Sequence, residues 1–262
     1  MLSIDSIINR LLFKSDTKIK PKAKSILSET AFSQNTRSKL VVHSEIPAKY
    51  SDGICFLTSP TSDYSSIFNM DKVNTSIKDI DGRCIGNYKY NVDFPKNEIN
   101  NGYIETLNGY RHKGIGELMR LSSIIELNEN NLDAIKIEAL SPAVPFHLHY
   151  KFQPEITDKD CAYKVLCEIG SNNNVAEKYR KEADLLRKAL PQNTNEGFEL
   201  SKSNAKKINQ FIKEFVKAHI SNWDAAKFDY EELPMTLTKE TIKENAGFFN
   251  GLFEKHGIDY EI

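Results

Sequence analysis

The spacing of apolar residues changes several times along the chain, and each change marks a predicted element. Ile4 to Phe13 and Lys22 to Phe32 carry apolar residues at helical spacing, separated by Lys/Asp/Pro-rich sequence that favours a turn. Lys39 to Val42 and Ile54 to Thr58 are short β-branched or aromatic runs bounded by Pro, Gly and Ser, which predict strands. Pro60 to Asp81 shows no clear period. Arg83 to Phe94, with Cys84, Tyr88, Tyr90 and Val92, predicts a strand; Pro95 to Asn101 reads as a hairpin loop before a second, antiparallel strand at Tyr103 to Leu107. From Gly114 to about Asn128 the period becomes helical, with Ile115, Leu118, Met119, Ser122 and Ile125 on one face and an Asn-rich stop by Asn131. Ala134 to Leu140 returns to strand, because Ile135, Ile137 and Ala139 alternate with Lys136 and Glu138.

The last third reads as helical. Ala176, Tyr179, Ala183, Leu186 and Leu190 form a stripe that stops at Pro191, and Ile208, Phe211, Ile212, Phe215 and Val216 form another; the two helices are predicted to pair as an antiparallel hairpin. A third helix is predicted from near Thr238, with Ile242, Ala246, Phe249 and Phe253 buried and Gly257 as cap, followed by a last short strand over Gly257 to Ile262. Four units result: an N-terminal helical arm over 1–36, a core over 37–154, a helical insertion or appendage over 155–233, and a C-terminal helix with closing strand over 234–262. The fold class is α/β, with a mixed, largely antiparallel sheet flanked by helices.

Composition narrows the function without naming it. With 262 residues and 40% hydrophobic composition the chain can bury a real core, and Lys+Arg 35 against Asp+Glu 36 gives no net field for nucleic acid or an anionic membrane. Lys202, Lys206, Lys207, Lys213 and Lys217 are interleaved with Glu177, Glu182, Asp184 and Glu214 of the helical third, so they read as a solvated face. Cys55, Cys84, Cys161 and Cys167 lack CxxC spacing or a His cluster, which argues for reduced, structural thiols and no metal. Asp5 and Arg10 interrupt the first apolar run, which argues against a secretory signal, and no stretch reaches the roughly 20 apolar residues of a membrane span. A cytoplasmic protein is the expectation.

Gly114 and Gly116 stand where a strand gives way to a helix. A backbone there can approach a ligand closely, and the first amides of a helix have no intrahelical partner. The helix dipole adds about half a positive charge at that end, and Arg111 and Lys113 bring cations beside it. Phosphate is the ligand this arrangement suits. A nucleotide P-loop would need Lys-Ser/Thr where Glu117-Leu118 stands, and a dinucleotide fingerprint would need a small residue in place of Met119. A Rossmann oxidoreductase survives only through Glu138, which lies at the distance of a ribose-binding acid.

Tyr110-Arg111-His112-Lys113-Gly114-Ile115-Gly116 resembles the Q/R-x-x-G-x-G/A signature of GCN5-related N-acetyltransferases, with the aromatic that often precedes the arginine. The strand bearing Ile104 and Thr106, the helix after the turn and the strand from Ala134 follow the family's order. Ala143-Val144-Pro145-Phe146-His147-Leu148-His149-Tyr150-Lys151-Phe152 is similar to the family's A-x-x-F-Y-x-K-x-G-F segment, with His147 in place of tyrosine, His149 of lysine and Lys151 of glycine; Asn108 replaces the usual proline before the signature. The resemblance covers about residues 82 to 154.

That resemblance implies acetyl transfer from acetyl-coenzyme A to an amine, protein-borne or small, by direct attack on the thioester. Amides of Lys113, Gly114, Ile115, Gly116 and Glu117, with Arg111 and His112, would hold the pyrophosphate; the Thr106 and Leu107 backbone would polarise the carbonyl. For proton transfer the candidates are His147 as acid, in the family's tyrosine slot, Tyr150 beside it, and Glu105 or Glu138 as base. The same residues have plainer readings: a turn before a helix, histidines packing a helix start, and solvated strand glutamates. The altered proline, tyrosine and glycine positions also fit a catalytically silent coenzyme-binding module whose helical third engages a protein partner.

Overall fold

The computed structural model describes residues 45–65, 69–190, 199–223 and 232–262. The expected N-terminal helices and the strand at Lys39 to Val42 lie outside them. Five strands open the described chain: β1 (Ile46–Tyr50), β2 (Gly53–Ser65), β3 (Met70–Asp79), β4 (Cys84–Asp93) and β5 (Glu98–Thr106), each antiparallel to the one before. Helix α1 (Ile115–Glu129) then carries the chain to β6 (Ala134–Ala139), which runs parallel to β5. After α2 (Val144–His149) and the two-residue β7 (Gln153–Pro154) come three helices, α3 (Lys159–Ser171), α4 (Glu177–Lys188) and α5 (Lys202–His219). Strand β8 (Leu233–Thr238) and helices α6 (Lys239–Glu244) and α7 (Ala246–Lys255) end the chain.

The eight strands form one sheet in the order β1-β2-β3-β4-β5-β6-β8-β7. It is mixed and largely antiparallel, with helices packed on it, as the sequence predicts. β3 falls in the stretch without a visible period. Its buried face alternates regularly but carries Asp71, Thr75 and Asp79 among Val73 and Ile77, so burial follows a period of two that hydrophobicity does not. Helix α1 is buried on nearly every side from Ile115 to Leu127, between the sheet and α7.

Two expectations for the last third change. The strand that completes the sheet is β8, paired along its whole length with β6 from Ala134↔Thr238 to Ala139↔Leu233, while Gly257 to Ile262 is not strand. Pro234, near the start of β8, hides the strand from a sequence reading because proline is rare inside sheets. The helix after Ala176 pairs with α3 across the link 172–176, rather than primarily with α5. Asp158 caps α3 through the Cys161 amide at 2.8 Å. α5 meets α4 at Tyr179, whose ring lies 5.7 Å from Phe215 and 5.1 Å from His219. Since β7 and β8 are neighbours in the sheet, the helices α3 to α5 leave and return at the same edge.

Candidate coenzyme-binding turn and its surroundings

Strands β5 and β6 are in register only at Glu98↔Ala134 and Ile99↔Ile135. Beyond that point they separate, so the end of β5 near Thr106 and the end of β6 near Glu138 flank an opening in the sheet. The chain leaves β5 and turns through Gly109, His112 and Gly114, all at positive φ (91°, 62° and 94°), into the N-terminus of α1. Gly114 is the N-cap in left-handed conformation, which a side chain would strain. A Cβ on Gly114 would also meet His256 Cε1 at 3.2 Å. On the other side, Gly86 of β4 lets the helix start press against the sheet, since a Cβ there would lie 2.5 Å from Ile115 Cγ2.

The turn is fixed from outside by the β1–β2 hairpin. The Ser51 amide donates to the Lys113 carbonyl at 3.1 Å, Lys113 Nζ pairs with Asp52, and Nζ also sits 5.4 Å from the Tyr110 ring centre. Lys113 is thus partly committed to a carboxylate, whereas Arg111 and His112 are exposed. The amides of Ile115, Gly116 and Glu117 occupy the first turn, where no helical acceptor lies ahead of them. This donor set fits a pyrophosphate: helix-start amides, a left-handed glycine and an exposed guanidinium.

Beneath the turn lies a charged cluster that the sequence did not disclose. Glu117, 7% exposed, accepts from Tyr150 Oη at 2.6 Å on Oε2, and on Oε1 from Lys255 Nζ at 2.6 Å and from His256 Nε2. His256 Nδ1 lies 2.5 Å from the Lys49 carbonyl of β1. Burial alone would raise the Glu117 pKa, but the hydrogen bonds from His256, Lys255 and Tyr150 outweigh it and hold the carboxyl down at about 2. Burial and the bond to this carboxylate push the Tyr150 phenol upward, so it keeps its proton.

The other proton-transfer candidates are dispersed. His147 in α2 is 8% exposed, packed against Phe146 and Phe152, and its Nδ1 has no hydrogen-bond partner among the described residues. Burial, and then the charge of Arg120, lower its pKa to about 2, so the ring is neutral at physiological pH. Glu105 is exposed on β5. Glu138 is exposed on β6, its pKa raised by partial burial and by Glu232 beside it, and it lines a cavity of about 710 Å³ with Asp158, Cys161 and Glu232. The Leu107 amide donates to Ile85 O at 3.1 Å, so it is committed to β4. Strand alternation then turns the Thr106 N–H, opposite Gly86, away from β4 and toward the opening.

No protein-family model and no curated protein sequence matches the chain. Solved structures match it in part. An N-acetyltransferase from Staphylococcus aureus Mu50 is 15% identical over 33% of this chain and 55% of its own, with a TM-score of 0.29. The spermidine/spermine N-acetyltransferase SpeG from Vibrio cholerae, in complex with manganese ions, is 9% identical over 67% of this chain and 69% of its own, with a TM-score of 0.36. A chimera of the Vibrio cholerae enzyme and hSSAT is 10% identical over 66% and 69%, with a TM-score of 0.35. The chain therefore spans about half the length of the first of these proteins. Among the described residues no helix is long and apolar enough to cross a membrane.

Proposed function

We propose that this chain is an N-acetyltransferase of the GCN5-related type, which moves an acetyl group from acetyl-coenzyme A to an amine by direct attack. The observation that carries the reading is one of placement. A turn with free helix-start amides lies directly after the strand whose end parts from its parallel neighbour, so a phosphate held at the turn would lie beside the opening. Acetyl-coenzyme A supplies the activated acyl group. The amides of Ile115, Gly116 and Glu117, with Arg111, hold its pyrophosphate; the Thr106 N–H donates to the developing oxyanion. Glu138, at the opposite wall of the opening and shifted toward neutrality, takes the proton of the attacking amine. His147 serves on the thiolate side as a neutral hydrogen-bond donor, because it is not a titrating acid near neutral pH in this setting, while the one hydroxyl hydrogen of Tyr150 is engaged by Glu117.

A second reading, a coenzyme-binding module without turnover, is favoured by one observation: the residue in the family's tyrosine slot is buried, with its pKa lowered far below neutrality. Calorimetric titration with acetyl-coenzyme A, followed by an amine screen, separates the two. Binding with turnover supports the enzyme, and binding without turnover supports the module. Arg111→Glu should weaken coenzyme binding by about tenfold or more, because it reverses a charge facing phosphate. Gly116→Trp should abolish binding, since even a Cβ at 116 stands 3.3 Å from the Phe146 ring. Unchanged affinity in both variants would remove the site.

A further inference from the structure

Both ring nitrogens of His256 face oxygens. Nδ1 points at the Lys49 carbonyl, which can only accept, and Nε2 at Glu117 Oε1. Glu117 also takes protons from Tyr150 Oη and Lys255 Nζ, the arrangement of an ionised carboxylate with no proton of its own to give. A neutral imidazole has one N–H and would leave one of these buried contacts as two acceptors facing each other. With His256 only 3% exposed, water cannot relieve that conflict. We propose that His256 is a positioning residue that carries a proton on both nitrogens, and that its positive charge, lodged under Gly114, is part of the phosphate-binding site.

The consequence for the turn is electrostatic. Glu117 sits in the first turn of α1, where an ionised carboxylate would repel a bound phosphate. Two cations, Lys255 and His256, hold that one carboxylate, so the cluster as a whole is positive. Were His256 neutral, the cluster would be neutral too. The ring packs close beneath the turn, since a Cβ on Gly114 would stand 3.2 Å from it; Glu117 faces it, Lys255 and Tyr150 share that carboxylate, and the Lys49 side chain of β1 lies beside the adjacent Gly257. The charged ring also ties three segments together: β1 through Lys49 O, α1 through Glu117, and the turn by contact.

The phosphate half of this inference rests on the coenzyme reading above, whereas the charge state does not, so the two are tested apart. Nitrogen and carbon chemical shifts of the histidine rings in the full-length protein, without ligand and with the His256 signal assigned from His256→Gln, should show both ring nitrogens protonated near neutral pH. A neutral tautomer there overturns the proposal. In Glu117→Gln the same ring should become neutral; a ring that stays charged shows that Glu117 does not hold the proton and overturns it as well. Coenzyme A titrated into wild type should bind more weakly as the solution is made alkaline. His256→Gln, checked for folding by circular dichroism, should bind roughly fivefold more weakly near neutral pH and show a flatter pH profile. Equal affinity and an equal profile would overturn the phosphate role. Failure of wild type to bind coenzyme A would refute the coenzyme reading and the phosphate role together, with the ring charge still decided by the spectra.

Discussion

His147 and His256 lie near the same helix, both nearly sealed from water, and their surroundings treat them in opposite ways. His147 has aromatic rings and a guanidinium for neighbours: Arg120, 1% exposed, stacks 5.0 Å from Phe152 and 5.5 Å from Tyr88, with Nε and Nη1 lacking partners among the described residues. Burial, and then repulsion by this cation, keep the ring neutral. His256 has a carboxylate and a carbonyl for neighbours, and both nitrogens are engaged. Burial lowers the charge of one of these rings, and the groups that meet each ring there set what burial does to it. For function, this moves attention from the α2 histidine, which the motif singles out, to a residue that no motif contains.

The largest expected effect tests that contrast through the charged partners. Glu117→Ala strands the positive partners of a buried carboxylate and should cost about 3 to 5 kcal/mol in urea unfolding. Arg120→Met removes a buried cation without a carboxylate partner among the described residues and should change stability by only about 1 kcal/mol, because its stacking surface is retained in part. Equal losses would end the distinction between the two regions.

Acid titration gives the next effect, and its two parts have the same sign. Glu117 has a folded pKa lowered from 4.5 to about 2, so its stabilisation is complete above the unfolded value and is lost as pH falls from 4.5 toward 2, about 3 kcal/mol in all. His147 is lowered from 6.5 to about 2, so the unfolded chain binds its proton first, and stability falls by about 1.4 kcal/mol for each pH unit below 6.5. Unfolding midpoints in wild type should therefore start to drop below about 6.5. His147→Gln should remove the loss between 6.5 and 4.5, and Glu117→Gln the additional loss below 4.5. A wild-type profile flat down to 4.5 would place His147 in a wetter setting than the structure gives it.

Tyr150→Phe should have the smallest effect, about 1 kcal/mol, since it deletes one of three donors on Glu117 and leaves the ring packing in place. A loss approaching that of Glu117→Ala would mean that Tyr150, and not His256, anchors the carboxylate.

Much of the core was legible in the residues. The strand over Arg83 to Phe94, the helix from Gly114 and the alternation of Ile135, Ile137 and Ala139 appear close to where hydrophobic period puts them. β3 escaped because its inward positions include Asp71, Thr75 and Asp79, and α3 escaped because its buried set is only Ala162, Val165, Leu166 and Ile169 within a charged run. The hairpin partner of α4 was misjudged for the same reason. At the site, the left-handed glycine and the helix start were readable from Gly114 and Gly116, since strand-to-helix turns have few chemical solutions. The commitment of Leu107 to Ile85 was not readable, because it depends on strand register, which a one-residue shift would reverse. Nor was the Glu117–His256 pair, whose members lie 139 residues apart without a shared motif.

That separation has a meaning for how the protein comes into being. On the ribosome the turn and its helix emerge well before the histidine that neutralises the carboxylate beneath them, with the whole helical insertion synthesised in between. A nascent chain arrested before Lys255 holds a first-turn carboxylate whose two cationic partners do not yet exist. On the function proposed above, the anion site would thus be matured late, and a growing chain would be ill suited to capture coenzyme until the helix before His256 has docked.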